Sequence, residues 1–148
     1  MKWFVIIGVA LLSILAGCQS QPENSSDSTD VLEETASPEN LPSFLEYYPD
    51  NIGNFYKGIN DFQDMLEQLP SYDINGEPGE LDNLYQSFIF EHTDEGSVIW
   101  NDHGARCNAC IDSAAYSIEA WQNGTSIEEI REAIVTQYGE GNQAESSN

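Results

Sequence analysis

Basic residues are scarce in this chain. Lys and Arg total 4 against 26 Asp plus Glu, a formal net charge of −22. Basic patches are how proteins grip nucleic acid or an anionic membrane surface, so the composition excludes both modes. Cysteine is scarce too, and three are too few for a disulfide-dense scaffold. There is no Gly-rich phosphate loop, no nucleophile elbow and no HExxH. Nor is there a long hydrophobic run. The longest, Trp3 to Leu15, covers 13 residues interrupted only by Gly8 and Ser13, short of the ~20 that a membrane-spanning helix needs. What is present is 148 residues, 40% of them apolar, enough for one modest domain with a packed core.

The apolar run follows Met1-Lys2 and has the basic start and length of a secretory signal. It closes with Leu15-Ala16-Gly17-Cys18. Small residues before a cysteine, straight after such a run, resemble the lipobox of bacterial lipoproteins, in which the signal is cut before the cysteine and the cysteine carries the lipid. Residues 1–17 therefore read as a signal peptide and Cys18 as the site of lipid attachment. That implies a protein held by its lipid on the extracytoplasmic face of the bacterial membrane. An ordinary secretion signal with a chance cysteine is the competing reading. Without residues 1–17 the chain keeps 3 basic and 26 acidic residues, a formal −23. Such a body is repelled by anionic headgroups, so the lipid must do the holding. The acids are scattered, with 6 in residues 18–43, 18 in 44–139 and 2 in 140–148. That pattern suits solubility in saline or alkaline surroundings better than a single cation-capturing face.

Residues 18–43 are rich in Ser, Pro, Asn and acids, with Val31, Leu32 and Leu41 the only sizeable apolar residues. Such a stretch cannot bury enough surface to offset its ordering entropy. It reads as a disordered linker, and about 25 flexible residues span roughly 25–30 Å. Residues 140–148 read as a disordered tail for the same reason. Between them, residues 44–139 form the expected domain. Ile52, Phe55, Ile59, Phe62, Leu66 and Leu69 recur at steps of three and four, predicting one amphipathic helix over 51–69 that Pro70 ends. Residues 71–83 are turn-rich and polar and read as a loop. Phe88 to His92 and Ser97 to Trp100, about a turn containing Gly96, predict a β-hairpin. A helix capped by Asn101 or Asp102 is expected to run to about Gln122, with Cys107, Cys110, Ile111, Ala114, Ile118 and Trp121 on its apolar face and Gly124 just beyond its end. Ser126 and Glu129 form a capping box that opens a last helix lined by Ile127, Ile130, Ile134 and Tyr138. The predicted fold is mainly α, a small domain of about three to four helices with one short β-hairpin. An isolated hairpin is marginal in water, so it must lie on the helices. Trp100 and Trp121, with the Phe and Tyr residues, are most simply core.

Chemistry concentrates in Asp102-His103-Gly104-Ala105-Arg106-Cys107-Asn108-Ala109-Cys110. On a helix, His103, Cys107 and Cys110 stand at i, i+4 and i+7 and share one stripe. Three readings compete. Thiolates and imidazole suit a soft metal, Cu(I) or Zn(II), with His92 as a possible fourth ligand. CxxC at a helix start also suits thiol–disulfide exchange, although the βαβ context of a thioredoxin-like unit is missing. Lastly, the pair suits a structural disulfide in an oxidising compartment, a modest staple because the loop it closes is short. No catalytic constellation stands out, and a non-enzymatic protein is expected. Acidic pairs such as Asp94-Glu95 and Glu128-Glu129 read as solvated turns and faces.

These residues resemble those of the bacterial PCYCGC-motif lipoproteins. The resemblance covers about residues 41–140. It is carried by LPSFL at Leu41–Leu45, GSVIW at Gly96–Trp100, NDHGARCNAC at Asn101–Cys110 and the NGTSIEEIREAIVTQYGEG ending. The chain departs from that family at the motif itself. Pro70 and Tyr72 remain, while Ser71, Asp73 and Asn75 stand where the resemblance implies cysteines, and Ser87 replaces a further one. A metal centre needing all six cysteines therefore cannot form here. Ser71, Asp73 and Asn75 offer oxygen ligands, which suit harder cations such as Ca(II). Only the block from Asp102 to Cys110 carries over from the family's cysteine set.

Overall fold

The structure is a computed structural model and describes residues 30–72 and 81–139. The expected signal peptide, Cys18, most of the loop before Asp82, and the tail lie outside the described residues. Strand β1 is Leu32–Thr35. It is followed by a 3₁₀ turn at Ser43–Tyr47, helix α1 at Asp50–Ile59, a 3₁₀ turn at Asn60–Phe62, and α2 at Gln63–Leu66. A further 3₁₀ turn at Tyr85–Ser87 leads into β2 (Ile89–His92) and β3 (Val98–Asn101). Helices α3 (His103–Arg106), α4 (Asn108–Gln122) and α5 (Ile127–Tyr138) complete the order. The mainly helical class with a small β element is as the sequence predicts. No helix among the described residues is long and apolar enough to cross a membrane.

The expected hairpin is present, with Gly96 at φ +90° in its turn, a conformation that suits only glycine well. It is part of a larger sheet. Strand β1 pairs antiparallel with β3, Leu32 opposite Asn101 and Thr35 opposite Val98, so the order is β1-β3-β2 with β3 in the centre. A bulge between Ile89 and Glu91 turns Phe90 towards solvent. Strand β1 corrects the reading of residues 18–43 as a linker throughout. Apolar pattern could not reveal this strand, because Val31 and Leu32 are both exposed. Polar pairing holds it instead. The Val31 N–H donates to Asp102 Oδ1 at 2.8 Å and the Asp102 N–H returns to the Val31 carbonyl at 3.1 Å. Trp100 Nε1 donates to Thr35 Oγ1 at 2.7 Å, and the Glu33 carboxylate accepts from the Ser43 N–H and hydroxyl.

The stripe predicted over 51–69 is largely correct as core but not as one helix. Ile59, Leu66 and Leu69 are fully buried, joined by Tyr56 and Met65. The helix tightens at Asn60–Phe62 because Asn and Asp are poor helix formers, and the Asn60 side chain accepts from the Tyr85 hydroxyl at 3.1 Å. Around Tyr56 the core is aromatic, with Phe44, Phe88 and Trp100 rings 5.4–6.0 Å from it, centroid to centroid.

The helix expected from Asn101 to Gln122 is also broken. Cys107 leaves helical geometry (φ −101°, ψ 99°) and separates α3 from α4. The buried face of α4 consequently holds Cys110, Ser113, Ala114, Ser117 and Ala120, with Ile111 and Ile118 half-buried. Trp121, read as core, is 45% exposed. Ser117 is tolerated inside because its hydroxyl donates to the backbone carbonyl of Ser113, one turn earlier, at 2.6 Å. Past α4, Gly124 takes φ +84° at the predicted position, and Ser126 with Glu129 makes the predicted capping box.

Candidate functional site

The corner between β3 and α3 builds the site. Asn101, almost fully buried, ends β3 and accepts the His103 N–H on its Oδ1 at 2.9 Å. Its Nδ2 donates to the Gln86 carbonyl at 3.0 Å. The N-cap position of α3 is Asp102, but its side chain makes no cap hydrogen bond; the Asn101 side chain, one residue earlier, takes the His103 N–H instead. The Asp102 carboxylate is used elsewhere, accepting from Val31 and from Arg106 Nε and Nη2, each at 3.0 Å for the arginine. Helix α3 lies tight against the preceding turn at Gly104. A Cβ there would fall 2.8 Å from the Ser87 carbonyl oxygen and closer still to the Phe88 ring.

Cys107 and Cys110 form a disulfide with Cα atoms 5.2 Å apart. Cys107 is the N-cap of α4, and its Sγ accepts the Cys110 N–H at 3.1 Å. The positive end of the helix therefore faces this sulfur and stabilises an anion on it once the bond is reduced. Both cysteines are buried, at 3% and 1% exposure. The Tyr72 carbonyl oxygen lies 3.5 Å from Cys110 Sγ and 3.8 Å from Cys107 Sγ. In the disulfide neither sulfur carries a hydrogen, so these are contacts; in the dithiol they become S–H donors to that oxygen.

His103, Cys107 and Cys110 are brought together although they do not share one helix. One ligand atom from each lies within 4.8 Å of the others. The break at Cys107 achieves what the expected single stripe was to do. His92 is not part of this group. Its Nε2 sits 2.8 Å from the Tyr85 hydroxyl, and the two rings stack with centroids 6.1 Å apart. Cys18, Asp73 and Asn75 fall outside the described residues. Reduced, the two thiolates and the imidazole match the donor chemistry of Cu(I) or Zn(II). In the disulfide form the sulfurs are not thiolates and the set does not fit a metal.

The family described as "Protein of unknown function with PCYCGC motif" matches residues 6–147. The chain belongs to this family. No curated protein and no solved structure matches it. Membership gives meaning to a buried pair beside the disulfide. Ser71 and Ser87, two positions where the PCYCGC resemblance implies cysteines, place their hydroxyl oxygens 3.0 Å apart. Ser71 precedes Tyr72, whose carbonyl touches both sulfurs. Two positions where the PCYCGC resemblance implies cysteines and the Cys107–Cys110 pair are therefore one neighbourhood in the fold.

Sequence reasoning missed Asp30, and it read Asn101 only as a candidate helix cap. Asp30 Oδ1 lies 3.1 Å from His103 Nδ1 and 2.7 Å from Arg106 Nη2. Arg106 donates to both Asp30 and Asp102, and these carboxylates raise its pKa against the lowering effect of burial. The only signal for Asp30 was its charge within a stretch whose composition read as disordered.

Proposed function

We propose that the protein is a non-enzymatic, lipid-anchored extracytoplasmic protein. Its His103, Cys107 and Cys110 group holds one soft cation, Cu(I) or Zn(II), when the cysteines are reduced, and rests as a disulfide when they are oxidised. The observation that carries this reading is the convergence of three ligand atoms within 4.8 Å. The lipid anchor is supported by Leu15-Ala16-Gly17-Cys18 after the apolar run. Strand β1 shortens the connection from that anchor. Twelve residues lead from Cys18 to Asp30, a span of at most about 43 Å even when fully extended. The site is thereby kept close to the membrane surface.

A second reading is favoured by the burial of both sulfurs, which suits a structural staple in a scaffold or interaction protein. Burial argues against rapid disulfide exchange with a macromolecule, since an attacking thiolate needs access to a sulfur. Native mass spectrometry of the protein exported to an oxidising compartment, purified without chelator or reductant, separates the two. A stoichiometric metal adduct with both thiols retained supports the metal site. A mass about 2 Da below the dithiol, with no Zn(II) or Cu(I) taken up after anaerobic reduction, leaves only the staple.

A further inference from the structure

We propose that Asp30 is the positioning residue that decides which nitrogen His103 turns to the sulfurs. The inference rests on the metal reading for its purpose but on separate contacts for its geometry. A carboxylate can only accept hydrogen bonds. Asp30 Oδ1 sits 3.1 Å from His103 Nδ1, so the ring proton belongs on Nδ1 and the Nε2 lone pair is left open. The carboxylate is itself fixed: Arg106 Nη2 donates to Oδ1 at 2.7 Å and Asn101 Nδ2 to Oδ2 at 3.3 Å. Asn101 also holds the His103 N–H, so backbone and ring of the histidine are held from the same corner. A carboxylate on the outer nitrogen of a ligating imidazole is the usual means of fixing its tautomer and orientation.

Asp30 lies 73 residues before His103 and just ahead of β1. The segment that leads from the proposed anchor therefore supplies part of the site. All three contacts to Asp30 come from donors, which sets the variants apart. Asp30→Ala removes the acceptor. Asp30→Asn keeps one acceptor oxygen where Arg106 and His103 converge and gives up only the longer contact from Asn101 Nδ2, and so serves as the conservative rescue.

The test uses the full chain. Nitrogen-15 NMR of the imidazole at mildly alkaline pH, without metal, reads the tautomer directly. We expect the proton on Nδ1 in the parent and in Asp30→Asn, and a shift towards Nε2 in Asp30→Ala. After anaerobic reduction, Zn(II) competition titration should show a loss of roughly 10- to 100-fold in Asp30→Ala and only a few-fold in Asp30→Asn. In a His103→Ala background Asp30→Ala should cost nothing further. Glu33→Ala, which loosens the same strand without touching His103, should leave both readouts unchanged. An unaltered tautomer in Asp30→Ala, or an equal Zn(II) loss in Glu33→Ala, overturns the role assigned to Asp30. A parent that shows the Nδ1 tautomer but takes up no Zn(II) or Cu(I) overturns the metal reading and leaves the positioning role standing.

Discussion

Ser71 and Ser87 are both buried, and their hydroxyl oxygens lie 3.0 Å apart across 16 residues of sequence. Each satisfies the other inside the core, which makes the pair asymmetric under substitution. Ser87→Ala leaves the Ser71 hydroxyl buried without its partner, and the expected cost is about 1–3 kcal/mol. Ser71→Ala together with Ser87→Ala should recover most of that loss. A Ser71→Cys, Ser87→Cys chain should oxidise to a second disulfide beside Cys107–Cys110. Closing a loop of that length should stabilise by about 3 kcal/mol. Thiol counting and the urea midpoint, before and after reduction, check both halves. Free thiols at 71 and 87 under oxidising conditions would show that the hydroxyl contact does not translate into a bridge.

Gly104 is where α3 can least afford a side chain. A Cβ would meet the Ser87 carbonyl at 2.8 Å and the Phe88 ring. Neither can withdraw easily, because one is backbone and the other a fully buried aromatic. Gly104→Ala should cost about 1–3 kcal/mol and lift α3 away from β2. His103 is the first residue of that helix, so the same substitution should weaken the Asp30 contact. The melting temperature and the His103 tautomer, measured together, test this. Normal stability with an unchanged tautomer would mean that α3 has room the structure does not show.

Much of this architecture was legible where local chemistry decides it. The capping box at Ser126, the glycine at 124, the hairpin turn and the apolar stripe of Ile59, Leu66 and Leu69 are all encoded within a few residues. What was hidden depends on distant polar partners. Strand β1 has no apolar period, and its support comes from Asp102, Trp100 and Ser97, 63 to 71 residues away. The site shows the same division. The spacing put His103, Cys107 and Cys110 on one helical stripe, whereas the structure brings them within 4.8 Å across a break, since Cys107 interrupts the helix instead of extending it. Asp30 had no local signature. The phase of α4 shifted with that break, and Trp121 moved from expected core to surface.

Residues 30–43 are therefore part of the fold, and their removal has a predictable effect. A chain beginning at Phe44 loses the β1 ladder, the Asp30 contacts to His103 and Arg106, the Thr35 acceptor of Trp100 and the Glu33 carboxylate that accepts the Phe44 N–H. At ~1 kcal/mol net for each hydrogen bond, the loss should reach about 3 kcal/mol or more. It also uncovers β3 as an open edge, which invites association between chains. Denaturant midpoints and sedimentation of chains starting at Asp30 and at Phe44 decide the matter. Equal stability and equal size would return residues 30–43 to the status of a tether.

Tyr56 gives the clearest dependence on pH. The residue is fully buried, and its hydroxyl donates to the Asn101 carbonyl at 2.8 Å. Burial pushes its pKa far above the ordinary value of 10.0, well beyond what the hydrogen bonding at Ala105 takes back. Below pH 10 the phenol is neutral in both folded and unfolded chains, and its contribution is constant. Above that, the unfolded chain releases the proton and the folded one keeps it, so stability falls by about 1.4 kcal/mol per pH unit for this one group. Tyr56→Phe should lose about 1 kcal/mol at neutral pH through the missing hydrogen bond, but it has no phenol to titrate. The parent and the variant should consequently converge above pH 10 and cross near pH 11. Urea unfolding of both at neutral pH and on either side of that point reads the crossing. Parallel curves throughout would mean that Tyr56 ionises in the folded protein as readily as in the unfolded one.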